Sequence, residues 1–293
     1  MPWRAIADAI TAATGEPVRP GRPAPVSGGG INAAYRLEGA NTAWFIKLND
    51  ASLEGMFAAE AEGLQALAAA QGGPRIPAVI ATGSGGGRAF LVLEWIGLQG
   101  RGDWAALGEG LAALHAVSGS HHGWHRDNTI GATPQINSPC DDWAAFFAEH
   151  RLGYQLGLAE QNGAGGQLLD RGRLLQEALG ALFSDHRPPP SLLHGDLWSG
   201  NVAFDASGRP VLYDPATHFG DRECDLAMSE LFGRFPAACY DAYQAVSPLA
   251  EGYAVRRDLY QLYHVLNHFN LFGGGYESGA LRLVERVLAE LGR

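Results

Sequence analysis

Short apolar runs dominate the first hundred residues of this 293-residue chain, whereas longer segments with helical spacing dominate the rest. Three of the apolar runs have the composition of buried β-strands. They cover residues 33–37, 44–48 and 89–94. A glycine-rich stretch at 83–87 predicts a hairpin-type turn between strands. Leucines spaced by three and four residues predict a core helix at 105–117. The pattern therefore predicts a small part that contains a sheet and a larger, mainly helical part.

One predicted helix of the small part carries a charge on its buried face. Between residues 53 and 70, five positions at i, i+4, i+7, i+11 and i+14 share one helical face. They are Leu53, Phe57, Glu60, Leu64 and Leu67. A carboxylate on an inward face requires a cation, and Lys47 in the predicted strand 44–48 is the candidate. The alternative is a snorkelling Lys47 with Glu60 at the boundary of the core.

Two segments of the larger part have the spacing of kinase motifs. Residues 193–201 read LHGDLWSGN, so that Asp196 precedes Asn201 by five positions, as in the kinase catalytic loop H-R-D-x-x-x-x-N. Asp214 follows a short apolar run, as the magnesium-binding Asp of D-F-G follows its strand. Gly195 replaces the usual Arg, and Pro215 follows Asp214, which argues against an ordinary protein kinase. Taken alone, the HGD tripeptide could be only a tight turn.

These residue types suit phosphoryl transfer. Its transition state spreads negative charge over the phosphoryl oxygens, so catalysis consists mainly of positioning and charge neutralisation. Asp196 would orient the attacking hydroxyl as the catalytic residue. The oxygens of Asn201 and Asp214 are the hard ligands that Mg²⁺ prefers.

The first part of the chain offers candidates for binding ATP. Gly28, Gly29 and Gly30 precede the strand 33–37, and glycines let backbone amides approach phosphates closely. The kinase pattern predicts that Lys47, paired with Glu60, holds the α- and β-phosphates. Residues 95–97 would then be a hinge between two lobes. Backbone groups near Glu94 and Ile96 would bind adenine there.

Composition narrows the class of partner. The formal net charge of −10 disfavours nonspecific nucleic-acid binding, which requires a basic patch. Three cysteines without metal-ligand spacing give no disulfide framework. There is neither a leader pattern nor an apolar run of roughly 18 residues that would span a membrane. We expect a cytoplasmic protein that binds neither nucleic acid nor membrane; the sequence does not predict its oligomeric state.

On these motifs the chain resembles the fructosamine kinase (ketosamine-3-kinase) family, relatives of aminoglycoside phosphotransferases and choline kinases. The resemblance covers nearly the whole chain. It is carried by residues 192–201, 214–216 and 220–228, with support from 133–137, 260–263 and 267–274. It implies an α+β, bilobal, protein-kinase-like fold: an N-terminal lobe (1–94) with a small antiparallel sheet and one helix, a hinge (95–97) and a mainly helical C-terminal lobe (98–293).

The resemblance also implies an activity and its cofactors. Members transfer phosphate from ATP, with Mg²⁺, to the 3-hydroxyl of a ketosamine, the adduct of a sugar with an amine such as a lysine side chain. Phosphorylation destabilises the adduct, so the family is associated with protein deglycation. The sequence does not decide between ribulosamine, erythrulosamine and fructosamine, nor between free and protein-bound adducts.

Five further residues are candidates for supporting or substrate-binding roles. We expect His194 and Asp225 to support the catalytic loop, with direct substrate contact by Asp225 as the alternative. Asp225 lies at the start of a predicted helix at 226–235. Trp198 offers a flat face on which a sugar or a cationic amine could rest, although it could equally pack beneath the loop.

The last long helix predicted from the sequence carries the other two candidates. His264, Asn267 and His268 share one of its faces by i, i+3 and i+4 spacing. Asn267 and His268 are candidates for substrate contact.

Two other functions remain open. A kinase for an aminoglycoside or choline would use the same catalytic residues, and an acidic pocket would suit such cations. A catalytically silent nucleotide-binding protein predicts the loss of Asp196, Asn201, Asp214 or Lys47, all of which are present.

Overall fold

A five-stranded antiparallel sheet forms the N-terminal part of the chain. The structure is a computed structural model and describes residues 2–19, 23–27 and 31–293. The strands are β1 (Ala24–Val26), β2 (Ala33–Glu38), β3 (Ala43–Asp50), β4 (Val79–Gly85) and β5 (Arg88–Glu94), in the spatial order β1-β2-β3-β5-β4. All three predicted strands are confirmed. The predicted turn joins β4 to β5, and Gly86 and Gly87 both have positive φ, which such tight hairpins require.

Two helices cover the two faces of this sheet. Helix α2 (Glu54–Ala68) buries Phe57 and carries Glu60, as predicted. Leu53, in contrast, is 38% exposed. The expectation that it lies on the buried stripe was wrong because a 3₁₀ turn, Ala51–Leu53, precedes the helix and is capped by the Asp50 carboxylate.

Helix α1 (Trp3–Thr14) covers the opposite face, where Ile6 and Ile10 pack against Trp44 and Ile46 of β3. The expectation of a single helix in this lobe is therefore corrected. Only two large apolar residues of α1 are fully buried, so the sequence carries only a weak helical pattern of apolar residues in this segment. Because side chains alternate along β3, Trp44 and Ile46 point to α1, whereas Lys47 points to α2.

The C-terminal part consists mainly of helices. They are α3 (Trp104–His115), α4 (Trp143–Phe147), α5 (Tyr154–Gln161), α6 (Gly166–Leu182), α7 (Glu223–Ser229), α8 (Ala237–Val246), α9 (Tyr253–Phe272) and α10 (Tyr276–Glu290). A π-helical segment, Ala148–Gly153, joins α4 to α5. Three two-stranded ladders complete it. They pair β6 (Asn128–Ile130) with β7 (Thr133–Gln135), β8 (Ser191–Leu193) with β11 (His218–Gly220), and β9 (Val202–Phe204) with β10 (Pro210–Leu212).

Two helix boundaries in this part differ from those expected. The sequence placed Asp225 before a helix at 226–235, but α7 covers Glu223–Ser229 and contains Asp225 in its first turn. The sequence predicted that the helix containing Asn267 is the last long helix, but α10 follows this helix, α9. Three consecutive glycines, 273–275, separate the two helices, and Gly273 leaves helical geometry at the end of α9.

Arg75 links the sheet-containing part to the helical part. Its guanidinium forms ion pairs with Glu94 at the end of β5 and with Asp205, the latter at 2.9 Å. Its backbone amide also donates to the Pro210 carbonyl at 2.8 Å. The division into lobes at residues 95–97 stays a prediction, and the end of β5 at Glu94 supports it.

In the described ranges 2–19, 23–27 and 31–293, no helix combines the length and the apolar character needed to cross a membrane.

The packing of α3 on α8 provides a test of the fold. A Cβ on Gly108 of α3 would lie 2.0 Å from the Cys239 carbonyl oxygen of α8. We therefore expect Gly108→Ala to lower the free energy of unfolding by about 1–3 kcal/mol, seen as a lower midpoint in thermal or urea unfolding. The matched control is Gly157→Ala in α5, where nothing lies within 4 Å. It should instead add roughly 0.5–1 kcal/mol. Equal effects would contradict the packing.

Candidate active site

Gly195 allows two chain segments to cross at the catalytic loop. Strand β8 leads into the loop, and its pairing with β11 brings residues 216–220 alongside. Gly195 has φ of 83°, and a Cβ there would lie 2.1 Å from the Ala216 carbonyl oxygen. A side chain such as the Arg of protein kinases has no room at this crossing. The glycine is thus required by the close approach of the chain.

Asp225 holds the backbone of the loop. Its carboxylate accepts hydrogen bonds from the amides of His194 (2.7 Å) and Gly195 (2.8 Å), and it faces Nε2 of His115 at 3.2 Å. Burial would raise the pKa of Asp225, but these hydrogen bonds and the nearby histidines lower it. With both oxygens engaged and 1% exposure, Asp225 has the contacts expected of a structural support.

His194 joins the loop to the segment before Asp214. Its Nε2 lies 3.0 Å from the Tyr213 carbonyl oxygen, and its Nδ1 lies 3.3 Å from the amide nitrogen of Asp196. Burial lowers the pKa of His194, so the ring is neutral near pH 7. Nε2 then carries the proton and donates it to Tyr213, while Nδ1 accepts from Asp196.

Asn201 connects the two aspartates of the site. Its Nδ2 donates to the carbonyl oxygen of Asp196 at 2.8 Å and to Asp196 Oδ2 at 3.0 Å. A longer contact of 3.4 Å reaches the carbonyl oxygen of Asp214. Because the amide nitrogen is used in this way, the amide oxygen of Asn201 is the atom left to bind a cation.

Asp214 lies in an unusual backbone conformation. Its φ of 57° is the only positive value for a residue other than glycine in the part of the chain that the structure describes. Such conformations concentrate at functional sites because surrounding contacts must maintain them. Its side chain is 49% exposed, and Oδ1 lies 2.7 Å from Lys47 Nζ. Together with the Asn201 oxygen, it supplies the hard donors that fit Mg²⁺.

Lys47 lies between two carboxylates and is 6% exposed. Its Nζ is 2.5 Å from Glu60 Oε1, so the predicted ion pair is confirmed and the snorkelling alternative is not. The second partner, Asp214, was not predicted. Burial would lower the pKa of Lys47, but Glu60 and Asp214 together raise it above the ordinary value. Lys47 is also the only lysine in the sequence, a signal that could have singled it out.

The carboxyl of Asp196 titrates near neutral pH. Burial raises its pKa to about 7, and the charges of Asp214 and Asp225 act in the same direction, whereas the hydrogen bond from Asn201 opposes them. A general base is most effective when its pKa lies near the working pH. The site therefore brings together a carboxyl with a pKa near neutrality, two oxygen donors of the kind that Mg²⁺ prefers and a buried ammonium.

Comparisons with known proteins agree with this geometry. A family model described as Fructosamine kinase matches residues 2–290. The chain is 50% identical over 291 residues to a "Probable ketoamine kinase" of Synechocystis, which covers 98% of this chain and 97% of the relative. It is 42% identical over 270 residues to a rice chloroplastic protein-ribulosamine 3-kinase, covering 91% of this chain and 78% of the relative.

This chain belongs to the fructosamine kinase family.

Solved structures show the same relationship. A crystal structure from Haemophilus somnus 129PT that is named as a fructosamine-3-kinase has a TM-score of 0.90 at 30% identity and covers 98% of each chain. An aminoglycoside phosphotransferase has a TM-score of 0.61 at 17% identity, covering 90% of this chain and 93% of its own. The latter likeness concerns the protein-kinase-like fold alone, and it confirms the predicted α+β class.

A buried amide network that the motifs did not reveal supports the segment that follows Asp214. Asn128 donates to the Thr217 carbonyl at 2.8 Å, and Gln135 donates to the Ala216 carbonyl at 3.1 Å. Tyr263 in turn donates to the Gln135 side-chain oxygen at 2.8 Å. Gln135 belongs to the stretch 133–137 that carried part of the resemblance. The sequence showed that this stretch is polar, but only the fold shows that Gln135 contacts the Ala216 carbonyl, two residues after Asp214.

The predicted nucleotide contacts are only partly described. Gly28, Gly29 and Gly30 lie outside the described residues. The Glu94 amide donates to the Ala78 carbonyl at 2.8 Å, and its carboxylate pairs with Arg75. The amide of Glu94 is thus engaged within the chain, and a contact of adenine with the backbone at Glu94 stays a prediction. Ile96 lies in the irregular segment directly after β5.

The three candidate substrate residues fall in different environments. The half-exposed ring of Trp198 lies edge-on to Phe232 at 6.1 Å, and Phe232 lies 4.6 Å from the ring of His268. Asn267 is 3% exposed, and its amide bonds with Ile130 and Gln155 inside the C-terminal part. Asn267 is thus an interior residue. Its contact with substrate stays a prediction, and we leave it out of the proposed acceptor site.

The raised pKa of Asp196 predicts a pH-dependent gain in stability for Asp196→Asn. The folded-state pKa of about 7 exceeds the ordinary 3.8, so the wild type loses stability as the pH rises through this interval. An asparagine at position 196 can still accept the hydrogen bond from Asn201, but it does not ionise. The variant therefore avoids this pH-dependent loss of stability. The melting temperature of the variant should exceed that of the wild type by roughly 2–4 °C at pH 8, and the two should converge near pH 4.

The exposed residue Asp241 of α8 provides the control. Asp241→Asn should change the melting temperature equally little at both pH values. If Asp196→Asn changed the melting temperature by the same amount at both pH values, burial would not raise the pKa of the Asp196 carboxyl.

Proposed function

We propose that this family member transfers the γ-phosphoryl group of ATP to the 3-hydroxyl of a ketosamine. The observation that carries the proposal is the joined arrangement of Asp196, Asn201, Asp214 and Lys47. Asn201 donates to the Asp196 carboxylate and to the backbone carbonyl of Asp214, and the Asp214 carboxylate pairs with Lys47. A catalytically silent protein would not need the four residues to be linked in this way. The family match and the names of the ketoamine and ribulosamine kinase relatives support the acceptor.

In this proposal Asp196 orients the acceptor hydroxyl and accepts its proton. Its pKa of about 7 means that a substantial fraction is ionised at neutral pH and that proton uptake is favourable as the oxygen attacks. His194 and Asp225 act indirectly, because they fix the loop amides on either side of Gly195. They are positioning residues.

Lys47 and the cation ligands would hold the donor. Glu60 fixes the ammonium of Lys47, which would bind the α- and β-phosphates when Asp214 turns to the metal. Asn201 and Asp214 would hold Mg²⁺, which neutralises the charge on the transferred group. Gly28, Gly29 and Gly30 would cover the phosphates, and the backbone at Glu94 and Ile96 would bind adenine. These nucleotide contacts stay predictions, as does a cytoplasmic location.

A screen for ADP release identifies the acceptor. The wild-type protein is incubated with MgATP and, separately, with ribulose-lysine, fructose-lysine, an aminoglycoside and choline. We expect turnover with ribulose-lysine or fructose-lysine and none with the other two. Activity confined to the aminoglycoside or choline would refute the ketosamine assignment. Chelation of Mg²⁺ should abolish the activity, and its return on adding Mg²⁺ tests the cofactor.

Asp196→Asn tests the role of the base. The variant should lose at least about 10²-fold in kcat on the ketosamine, while MgATP binding measured by calorimetry remains. Asp241→Asn is again the control. Turnover of Asp196→Asn within threefold of wild type would remove Asp196 from the mechanism.

A further inference from the structure

A row of aromatic side chains extends from the catalytic loop to the end of α9. Trp198 lies edge-on to Phe232 with ring centroids 6.1 Å apart, and Phe232 lies 4.6 Å from His268. His268 lies 5.7 Å from Phe272. We call these four side chains the aromatic row. Because Trp198 follows Asp196 by two residues, one end of the row lies beside the proposed base.

The inner part of the row is held in a fixed orientation. The Trp198 ring occupies the space above Gly200, where a Cβ would lie 2.3 Å from the indole. His268 Nδ1 donates to the His264 carbonyl at 2.8 Å, and the Tyr276 ring packs against it at 5.3 Å. Such preorganised aromatic faces bind with a small loss of conformational entropy.

The outer end of the row is exposed. Phe272 is 67% exposed, more than any other large apolar side chain of the described residues. Trp198, Phe232 and His268 are half-buried, so the row presents a continuous surface rather than a single exposed ring. Its neighbour Leu271 and Ile31 of the small lobe both approach Gly131, within 3.2 and 3.4 Å of where its Cβ would be. The row therefore ends where the two parts of the chain meet.

The length and chemistry of the row indicate its occupant. A five- or six-carbon sugar is about as long as one indole ring and would cover Trp198 alone. The rest of the row then faces the amine side of the adduct. It contains no carboxylate and no permanent charge, so it suits a protonated amine over an aromatic face and apolar groups beyond it.

We propose that the aromatic row is an acceptor subsite that selects the surroundings of the modified amine. It binds the amine-bearing half of a peptide ketosamine and favours an aromatic or aliphatic residue next to the modified lysine over an acidic one. Phe272 is the specificity-determining residue. This inference rests on the proposed function, and its test distinguishes failure of the subsite from failure of that function.

The test compares two peptides of equal length that carry ribulose-lysine, one with Phe and one with Glu after the adduct. We expect kcat/KM of the wild type to be about tenfold higher for the Phe peptide, equivalent to about 1.4 kcal/mol. The difference should lie in KM, because the contact is equal in the ground and transition states. Phe272→Ala should reduce the preference to about twofold.

Val246 provides the matched control, since it is 60% exposed in α8 and lies outside the row. Val246→Ala should keep the tenfold preference. Equal rates for the two peptides in the wild type, or an unchanged preference in Phe272→Ala, would overturn the subsite. If no ketosamine is phosphorylated, the proposed function fails, and calorimetry with the same two peptides decides the subsite: tighter binding of the Phe peptide, lost in Phe272→Ala, supports it, and equal binding refutes it.

Discussion

The charge balance around Lys47 is the constraint on which the rest of the site depends. A buried ammonium is costly without partners, and its two partners come from different parts of the fold. Glu60 lies on α2 of the sheet-containing part, and Asp214 lies beside the catalytic loop. The three side chains therefore fix the positions of strand β3, helix α2 and the segment that contains Asp214 relative to one another. A shift of β3 or α2 alone would separate Lys47 from Glu60, and a shift of the Asp214 segment would remove the second partner of Lys47.

Backbone crowding imposes a second constraint on the catalytic loop. The Ala216 carbonyl occupies the space that a side chain at Gly195 would need. The carboxylate of Asp225 also accepts a hydrogen bond from the Gly195 amide. These contacts hold Asp196 where burial and neighbouring carboxylates raise its pKa to about 7. The arrangement costs folding stability and gives Asp196 a pKa that suits the base proposed here, as expected where function opposes local stability.

The sequence predicted those features that depend on local pattern. The strands, the hairpin at Gly86 and Gly87, and the Lys47–Glu60 pair followed from periodicity and from the cost of burying charge. Features that depend on distant segments were not predictable in the same way. The contact of Lys47 with Asp214, the support of Ala216 by Gln135 and the interior position of Asn267 exist only once the C-terminal helices pack. Helix α1 was missed because its buried side chains give few strong signals.

The most direct test of this account is the protonation state of Lys47. Because Lys47 is the only lysine, protein labelled with ¹³Cε-lysine gives a single side-chain signal in NMR spectra of the nucleotide-free enzyme. At pH 10.5, where an ordinary lysine is half deprotonated, the account predicts a fully protonated Lys47. Glu60→Gln should shift its titration to lower pH, and the unfolded chain should give the ordinary value. A wild-type Lys47 that titrates at or below pH 10.5 would contradict the claim that two carboxylates hold it.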